Sequence, residues 1–530
     1  RKGGMIHTID TELHAAFHSR IPMHRHRHGR RTLPFRLSTL ASVVGASRPT
    51  TFSGVVETGM TLLGDGEALV QTKAVAFVEP AATTEDLRRA AARSRAESFP
   101  QTMINFGDAQ YISYLKIGNQ ILAGMLDTGS FELVVFGADC RTCGVAAHYN
   151  PSLSSTFRFG RLISQQSYGS GSCHSQASSD ILQIGPFREA MQNFWTVQQA
   201  NMSVLAHSAF EVIIGLGPPE APAAGAWKSV TAVISNVTSY YDMAEPAPDW
   251  ALRQVDKRLE IADETGARTA LLGNFGVTTF SVCLGAAARS NGIFVWNDLS
   301  ALSQPSLFAR VPVTGYHTWS TSLTNPILVV SRGSTSSGSD EPVQLGCGAE
   351  AGCSAILDTG MSLIAAPRIV IEKLREAMLL LKPDCSNPDD LPNLVFELGG
   401  HTFSLPPEAY IAEVEGNMPE YLAGLVEFGN WSVSHTCQLL LVESVAITEN
   451  GPLWILGMPF FRKYYTTFHV GESREERAFY IAEAGEDCYP VGLGEQPLAD
   501  RRSLLRRVEL QKVHLPQTAR VAMREQFANL

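Results

Sequence analysis

The sequence predicts a mostly β protein built from two similar lobes, and three observations predict it. From about residue 103, short β-type runs alternate with turns rich in Gly, Ser, Asn and Pro. Helical patterning is scarce. A short segment recurs: Met125-Leu126-Asp127-Thr128-Gly129-Ser130 returns as Ile356-Leu357-Asp358-Thr359-Gly360-Met361-Ser362. An apolar-apolar-Gly segment follows each copy, Ile213-Ile214-Gly215 after the first and Ile455-Leu456-Gly457 after the second. Two lobes that each contribute one Asp are the simplest architecture consistent with this pattern.

The bulk properties agree. The chain has 530 residues, 45% hydrophobic and 18% charged, enough for a large core in more than one lobe. A formal net charge of -10 argues against nucleic-acid binding, which needs a basic face. No uninterrupted apolar run is long enough to span a bilayer. The chain begins at Arg1 rather than Met, so its true N-terminus is expected upstream, where there is room for a signal peptide. Nine Cys, two sets of them closely spaced (Cys140 with Cys143, Cys347 with Cys353), fit an oxidising compartment. A zinc site of the CxxC type is the competing reading. Cys347 and Cys353 do not repeat that spacing, and no His lies at finger spacing beside them. The sequons at Asn201, Asn236 and Asn430 are acceptors for glycan if the chain is secreted.

In chain order, residues 1–98 are set apart by the basic, His-rich run His24 to Arg31, read as a solvated segment rather than a metal site, and by a short exposed helix from Thr84 to Glu97. β-type runs follow at Tyr111–Gly118, Phe131–Phe136 and Ile181–Ile184. The region 218–270, rich in Ala, Pro and charge, reads as loops or an insertion, with helical pattern only near Pro248 to Leu259. Gly333 to Ser339 reads as a flexible loop, and Ile369 to Leu380 as a helix. Arg501 to Leu530 is basic and amphipathic, with helical patterning, and reads as an exposed tail.

A duplicated apolar-Asp-Thr-Gly has a chemical consequence. The apolar residues bury the strand end, so each Asp needs donors for its carboxylate. The Gly amide and the following hydroxyl supply them, and each Thr hydroxyl can reach the other lobe. Two such loops meeting at a pseudo-twofold axis would bring two carboxylates together, sharing one proton. One then deprotonates a water while the other protonates or hydrogen-bonds a substrate carbonyl. No metal, other cofactor or covalent intermediate is required. One copy alone would read as a structural turn.

From about 105 to 488 the chain resembles the pepsin-like aspartic proteases. Asp127-Thr128-Gly129-Ser130 and Asp358-Thr359-Gly360 are similar to the two catalytic motifs of that family. Tyr149 to Phe157 is similar to the approach to its flap hairpin, and Tyr168-Gly169-Ser170-Gly171-Ser172 to the flap tip. Phe210 to Gly217, Leu391 to Phe396, Leu405 to Tyr410 and Trp454 to Tyr465 follow in the family's order. The resemblance implies a bilobal pepsin-like acid protease fold with a cleft between two pseudo-symmetric β lobes. The N-terminal lobe, with the flap, would span 99–275, the C-terminal lobe 276–490 and a basic tail 491–530, with residues 1–98 as a partly disordered, propeptide-like extension.

It further implies an endopeptidase acting in acid on extended polypeptides, monomeric, in the secretory pathway. Asp127 and Asp358 would be the dyad, Thr128 and Thr359 the interlocking hydroxyls, and Gly129, Ser130 and Gly360 further support. Tyr168, Gly169, Ser170 and Gly171 would be the lid over a peptide bound as an added strand. An ordinary exposed Gly/Ser loop is the competing reading of those four residues. Disulfides Cys140–Cys143, Cys347–Cys353 and Cys385–Cys437 are implied, the last widened by an insertion around 413–430. Cys173, Cys283 and Cys488 stay unassigned, with Cys283 read as a buried free thiol in an apolar run.

Two positions depart from the family pattern. Val134 stands where a Trp usually orients the flap tyrosine, and Met361 where a hydroxyl usually bonds the second carboxylate. Loss of that donor should raise the proton affinity of Asp358 and give an acid optimum less extreme than usual. A pepsin-fold peptide-binding protein with weak or no catalysis is the alternative these departures favour. Arg507 to Val513 is also similar to the opening of a pepsin-type propeptide, as if a second protease once followed.

Overall fold

The computed structural model describes residues 53–62, 68–77, 98–240, 248–329, 342–348, 352–378, 382–423, 436–492 and 504–523. The His-rich run, the Thr84–Glu97 helix, the Gly333–Ser339 loop and Asn430 lie outside them. The chain divides into two units, Arg1–Ala92 with Asn236–Asp249, and Arg93–Ser235 with Trp250–Leu530. In the first, strands Ser53–Leu62 and Ala68–Phe77 form an antiparallel pair.

The second unit is the bilobal β body. Its largest sheet starts in the N-terminal lobe, where the strand Gln120–Asp127 lies between Gln110–Ile117 and Val212–Gly215. It continues through Leu133–Phe136 and Ala190–Asn201 to the long hairpin Arg158–Tyr168 and Gly171–Gln183. On the other side, Phe99–Phe106 pairs with Gly292–Trp296, which carries the sheet into the strands of the C-terminal lobe, Thr279–Leu284, Tyr464–His469 and Ala478–Ala484. Stacked rings fill the space behind that junction, with Phe280 4.8 Å from Phe468 and 5.4 Å from Phe294. In the C-terminal lobe a nine-stranded sheet is built around Ser320–Val329, Cys353–Leu357 and Gly451–Leu456, and a three-stranded sheet holds Ile411–Glu415 between Thr436–Leu439 and Arg506–Glu509.

The sequence repeat is a structural repeat. Gln120–Asp127 pairs in parallel with Val212–Gly215, which pairs antiparallel with Leu133–Phe136. Likewise Cys353–Leu357 pairs in parallel with Gly451–Leu456, which pairs antiparallel with Ile364–Pro367. In each lobe the Asp-Thr-Gly loop leaves one strand and the apolar-apolar-Gly strand runs beside it. The glycine closing that strand has no room for a side chain: a Cβ on Gly215 would strike the backbone of Glu132, and one on Gly457 the carbonyls of Leu363 and Met361.

Two sequence expectations are corrected. Residues 218–270 hold two long helices rather than loops: Asp249–Gly266, where helical pattern is expected near Pro248 to Leu259, and Ala221–Tyr240, which is not expected. Pro222 falls at the start of Ala221–Tyr240, where proline costs no hydrogen bond, and the Ala content is helix-forming. Cys283 is not a free thiol but is joined to Cys488, 205 residues away. Its strand is separated by the single strand Tyr464–His469 from Ala478–Ala484, after which the Cys488 turn follows, a proximity that a local apolar run cannot reveal. Disulfides also join Cys140 to Cys143, Cys347 to Cys353 and Cys385 to Cys437. Cys173 is free and buried, and burial pushes its thiol up to about 12. The expected helix at Ile369 to Leu380 is present as Arg368–Met378, with Val370 and Leu374 buried.

Candidate active site

The two Asp-Thr-Gly loops meet back to back. The Thr128 amide donates to Thr359 Oγ1 at 3.0 Å, and the Thr359 amide to Thr128 Oγ1 at 3.0 Å. Each hydroxyl then donates across the junction, Thr128 to the Leu357 carbonyl at 3.0 Å and Thr359 to the Leu126 carbonyl at 2.7 Å. Four reciprocal bonds at one fully buried point fix the two loops, and so the two carboxylates, in one geometry. The glycines let the carboxylates approach: a Cβ on Gly129 would strike the Asp358 carboxylate, and one on Gly360 that of Asp127.

Asp127 and Asp358 are both 0% exposed. The Gly129 amide donates to Asp127 Oδ1 at 2.8 Å and the Ser130 hydroxyl to Oδ2 at 2.5 Å. Asp358 Oδ1 accepts from the amides of Gly360 at 3.0 Å and Met361 at 3.2 Å. Burial pushes the Asp358 carboxyl well above the usual carboxylate range, and the neighbouring charge of Asp127 pushes it further. The hydrogen bonds it accepts pull the other way without reversing the shift. The side chain of Met361 donates nothing, and instead packs in the core with Ile356 and Ile455.

The hydroxyl that position 361 lacks comes from elsewhere. Thr518 Oγ1 donates to Asp358 Oδ2. Residues 504–523 do not form an exposed tail, and they are only partly helical. Arg506–Glu509 adds a parallel strand to Ile411–Glu415, an extended stretch follows, and Gln517–Ala522 is a short helix. Val508, Val513, His514, Leu515, Thr518 and Ala522 are all buried. The amphipathic pattern marked a segment with a face to bury, and the face is buried inside its own molecule. The stretch around 413–430 that reads as an insertion supplies the docking strand and Tyr421, whose hydroxyl donates to the Val513 carbonyl.

The hairpin tip closes onto this segment. Tyr168 and Gly171 pair across the turn, and Gly171 has φ 137°, a conformation glycine tolerates. The Gly169 amide donates to the Pro516 carbonyl at 3.0 Å and the Ser170 amide to the Leu515 carbonyl at 3.2 Å. Tyr168 is fully buried, its ring centroid 6.0 Å from that of His514. The expected site residues Asp127, Thr128, Gly129, Ser130, Asp358, Thr359 and Gly360 are thus in one cluster, and Tyr168, Gly169, Ser170 and Gly171 in one hairpin tip. Val134 is buried in Leu133–Phe136, opposite Trp195. Sequence reasoning missed Ser362, whose hydroxyl donates to the Ala109 carbonyl at 2.7 Å and accepts from the His514 amide at 2.8 Å. Thr518 and His514 were missed as well. Among the described residues, no group of His, Cys, Asp and Glu is arranged to hold a metal ion, and no helix is long and apolar enough to cross a membrane.

Residues 110–247 and 278–478 match the family model described as eukaryotic aspartyl protease. The chain is 26% identical over 385 residues to pepsin A of Bos taurus, an alignment covering 71% of this chain and 85% of that protein. It is 26% identical over 382 residues to gastricsin of Mus musculus, covering 69% and 80%. To cathepsin E of Rattus norvegicus it is 27% identical over 386 residues, covering 71% and 81%.

Proposed function

The chain belongs to the eukaryotic aspartyl protease family, and from that premise we propose that it is an endopeptidase that hydrolyses polypeptides in acid with Asp127 and Asp358. The observation that carries the reading is the asymmetry of two buried carboxylates in one symmetric cradle. Burial and the charge of Asp127 favour a proton on Asp358. The Ser130 hydroxyl and Gly129 amide donate to Asp127 and hold its carboxylate in place as the acceptor of the water's proton.

In the proposed reaction a water held between them gives a proton to Asp127 as its oxygen bonds to the scissile carbon. Asp358 gives its proton to the carbonyl oxygen. Collapse of the tetrahedral adduct breaks the C–N bond, passes the Asp127 proton to the departing amine and returns a proton to Asp358, which restores both groups. The substrate would lie as an extended strand under the Tyr168–Gly171 tip, holding water out. Four disulfides support an oxidising compartment, which we take to be the secretory pathway, and the expected working form is a monomer.

The test is hydrolysis of an unfolded protein from pH 3 to 7, with and without pepstatin, by the chain and by its Asp127→Ala and Asp358→Ala variants. Acid activity that falls by at least about 10³-fold in both variants is expected. Because residues 504–523 fill the site, the assay is repeated after they are cut free. Tight pepstatin binding without turnover at any pH would instead make this a peptide-binding protein on the same fold.

A further inference from the structure

We propose that residues 504–523 are a built-in ligand of the cleft that keeps it closed to other polypeptides, with Thr518 restoring to Asp358 the hydroxyl that Met361 withholds. The inference rests on the reading that polypeptide substrates bind between the lobes, and it adds that this chain supplies its own occupant.

The segment is bonded to both lobes. On the N-terminal side the Gly129 carbonyl accepts from the Thr518 amide at 3.2 Å, Gln110 Nε2 donates to the Lys512 carbonyl at 2.8 Å, and the hairpin tip donates to Leu515 and Pro516. On the C-terminal side it adds a strand to Ile411–Glu415, exchanges bonds with Ser362, and receives the Val445 amide on the Ala522 carbonyl at 2.8 Å. Its first anchor is Arg506, 2% exposed, which bonds Asp108 at 3.2 Å and the carbonyls of Gly285, Ala286 and Ala287.

An extended substrate would use the same hairpin amides and the same Gly129 carbonyl, so the two are mutually exclusive. The hairpin is closed on the segment, because a Cβ on Gly169 would lie 2.6 Å from Leu515 Cβ. The backbone also explains why the segment would inhibit rather than be cut. It is extended under the hairpin tip but helical from Gln517. A side-chain hydroxyl, not a peptide carbonyl, therefore meets Asp358. His514 Nε2 lies 3.8 Å from Asp127 Oδ2 on the other side. Both carboxylates are covered by side chains.

A tethered segment has an effective concentration near 1 mM, so if the free peptide binds at about 10 μM, the tether suppresses competitors about 100-fold. The experiment uses the full chain with Asp127→Ala and a specific protease site inserted between Gln496 and Pro497, cut after folding. The probe is a fluorescent synthetic peptide of residues 504–523, read by anisotropy at high dilution. The cut chain is expected to bind it about 100-fold more tightly than the intact chain, and Leu515→Asp in the intact chain to recover part of that difference. Equal binding by intact and cut chains, or binding by neither, overturns the proposal.

With Asp127 restored, hydrolysis should rise on cutting. An intact chain as fast as the cut one also overturns the proposal. Binding that opens on cutting, with no hydrolysis in either form, would leave occupancy standing and remove the endopeptidase reading. The Thr518 assignment has its own cycle. Thr518→Val in the probe should weaken binding about tenfold, and clearly less so to a Met361→Thr chain. An equal loss with both chains overturns that assignment.

Discussion

In the proposed reaction, the chemistry of the dyad depends on single donors. Ser130 and Met361 occupy matching positions after the two Asp residues, and only Ser130 offers a hydroxyl, at 2.5 Å from Asp127. Burial and the charge of Asp127 make Asp358 the holder of the shared proton, and a hydroxyl donated to its carboxylate works against that by stabilising the ionised form. Activity in the proposed reaction needs Asp358 protonated. In the chain cut free of residues 504–523, Met361→Thr is therefore expected to lower the Asp358 pKa and move the neutral limb of kcat/KM against pH to lower pH by up to about one unit. A limb that stays in place or moves up would mean that the added hydroxyl does not reach the carboxylate.

Among the elements, one covalent tie joins parts of the large sheet that are far apart in sequence. The Cys283–Cys488 bridge ties the strand Thr279–Leu284 to the turn after Ala478–Ala484, closing a separation of 205 residues. Closing so long a loop restricts the unfolded chain strongly, with an upper estimate of about 5 kcal/mol. Cys283→Ser with Cys488→Ser should lower the unfolding free energy by a large part of that, measured by denaturant titration. The dyad loops are held by their own reciprocal threonine bonds, which involve neither cysteine. Pepstatin affinity of the folded fraction should therefore be unchanged. The Cys140–Cys143 and Cys347–Cys353 bridges close separations of only 3 and 6 residues and restrict far less of the unfolded chain.

For the whole molecule, two buried acids pull stability in opposite directions with pH. The folded-state pKa of Asp358 is raised by burial and by Asp127. Its stabilising contribution is fully present below the unfolded carboxylate value of about 4 and is lost as pH rises through the raised value. Burial would raise Asp108 too, but Arg462, Arg506 and the Asn105 and Arg289 donors outweigh it and lower its pKa. Its contribution is present above about 4 and is lost as pH falls through the lowered value. Asp358→Asn should thus raise the Tm at neutral pH more than at pH 4, and flatten the decline between them. A variant curve parallel to that of the parent chain would show that Asp358 is not the group responsible.

The sequence by itself determined the β class, the two-lobe plan and the dyad cluster, because each is written in local pattern. Alternating short runs encode strands, and a repeated Asp-Thr-Gly followed by apolar-apolar-Gly encodes the same loop twice. The glycines at 215 and 457 are required by backbone packed against them. What only the tertiary structure decided was pairing between distant segments. Cys283 reads as buried because its strand is apolar, but its partner depends on which turn reaches it. Residues 504–523 carry an amphipathic pattern that says a face must be covered and not by what. The covering surface is assembled from Gly107, Gly129, the Gly169–Ser170 tip and Ile411–Glu415, which are far apart in sequence and meet only in the folded molecule. Thr518 reaches Asp358 for the same reason: a hydrogen bond is a matter of ångströms in space, and 160 residues of chain separate that pair.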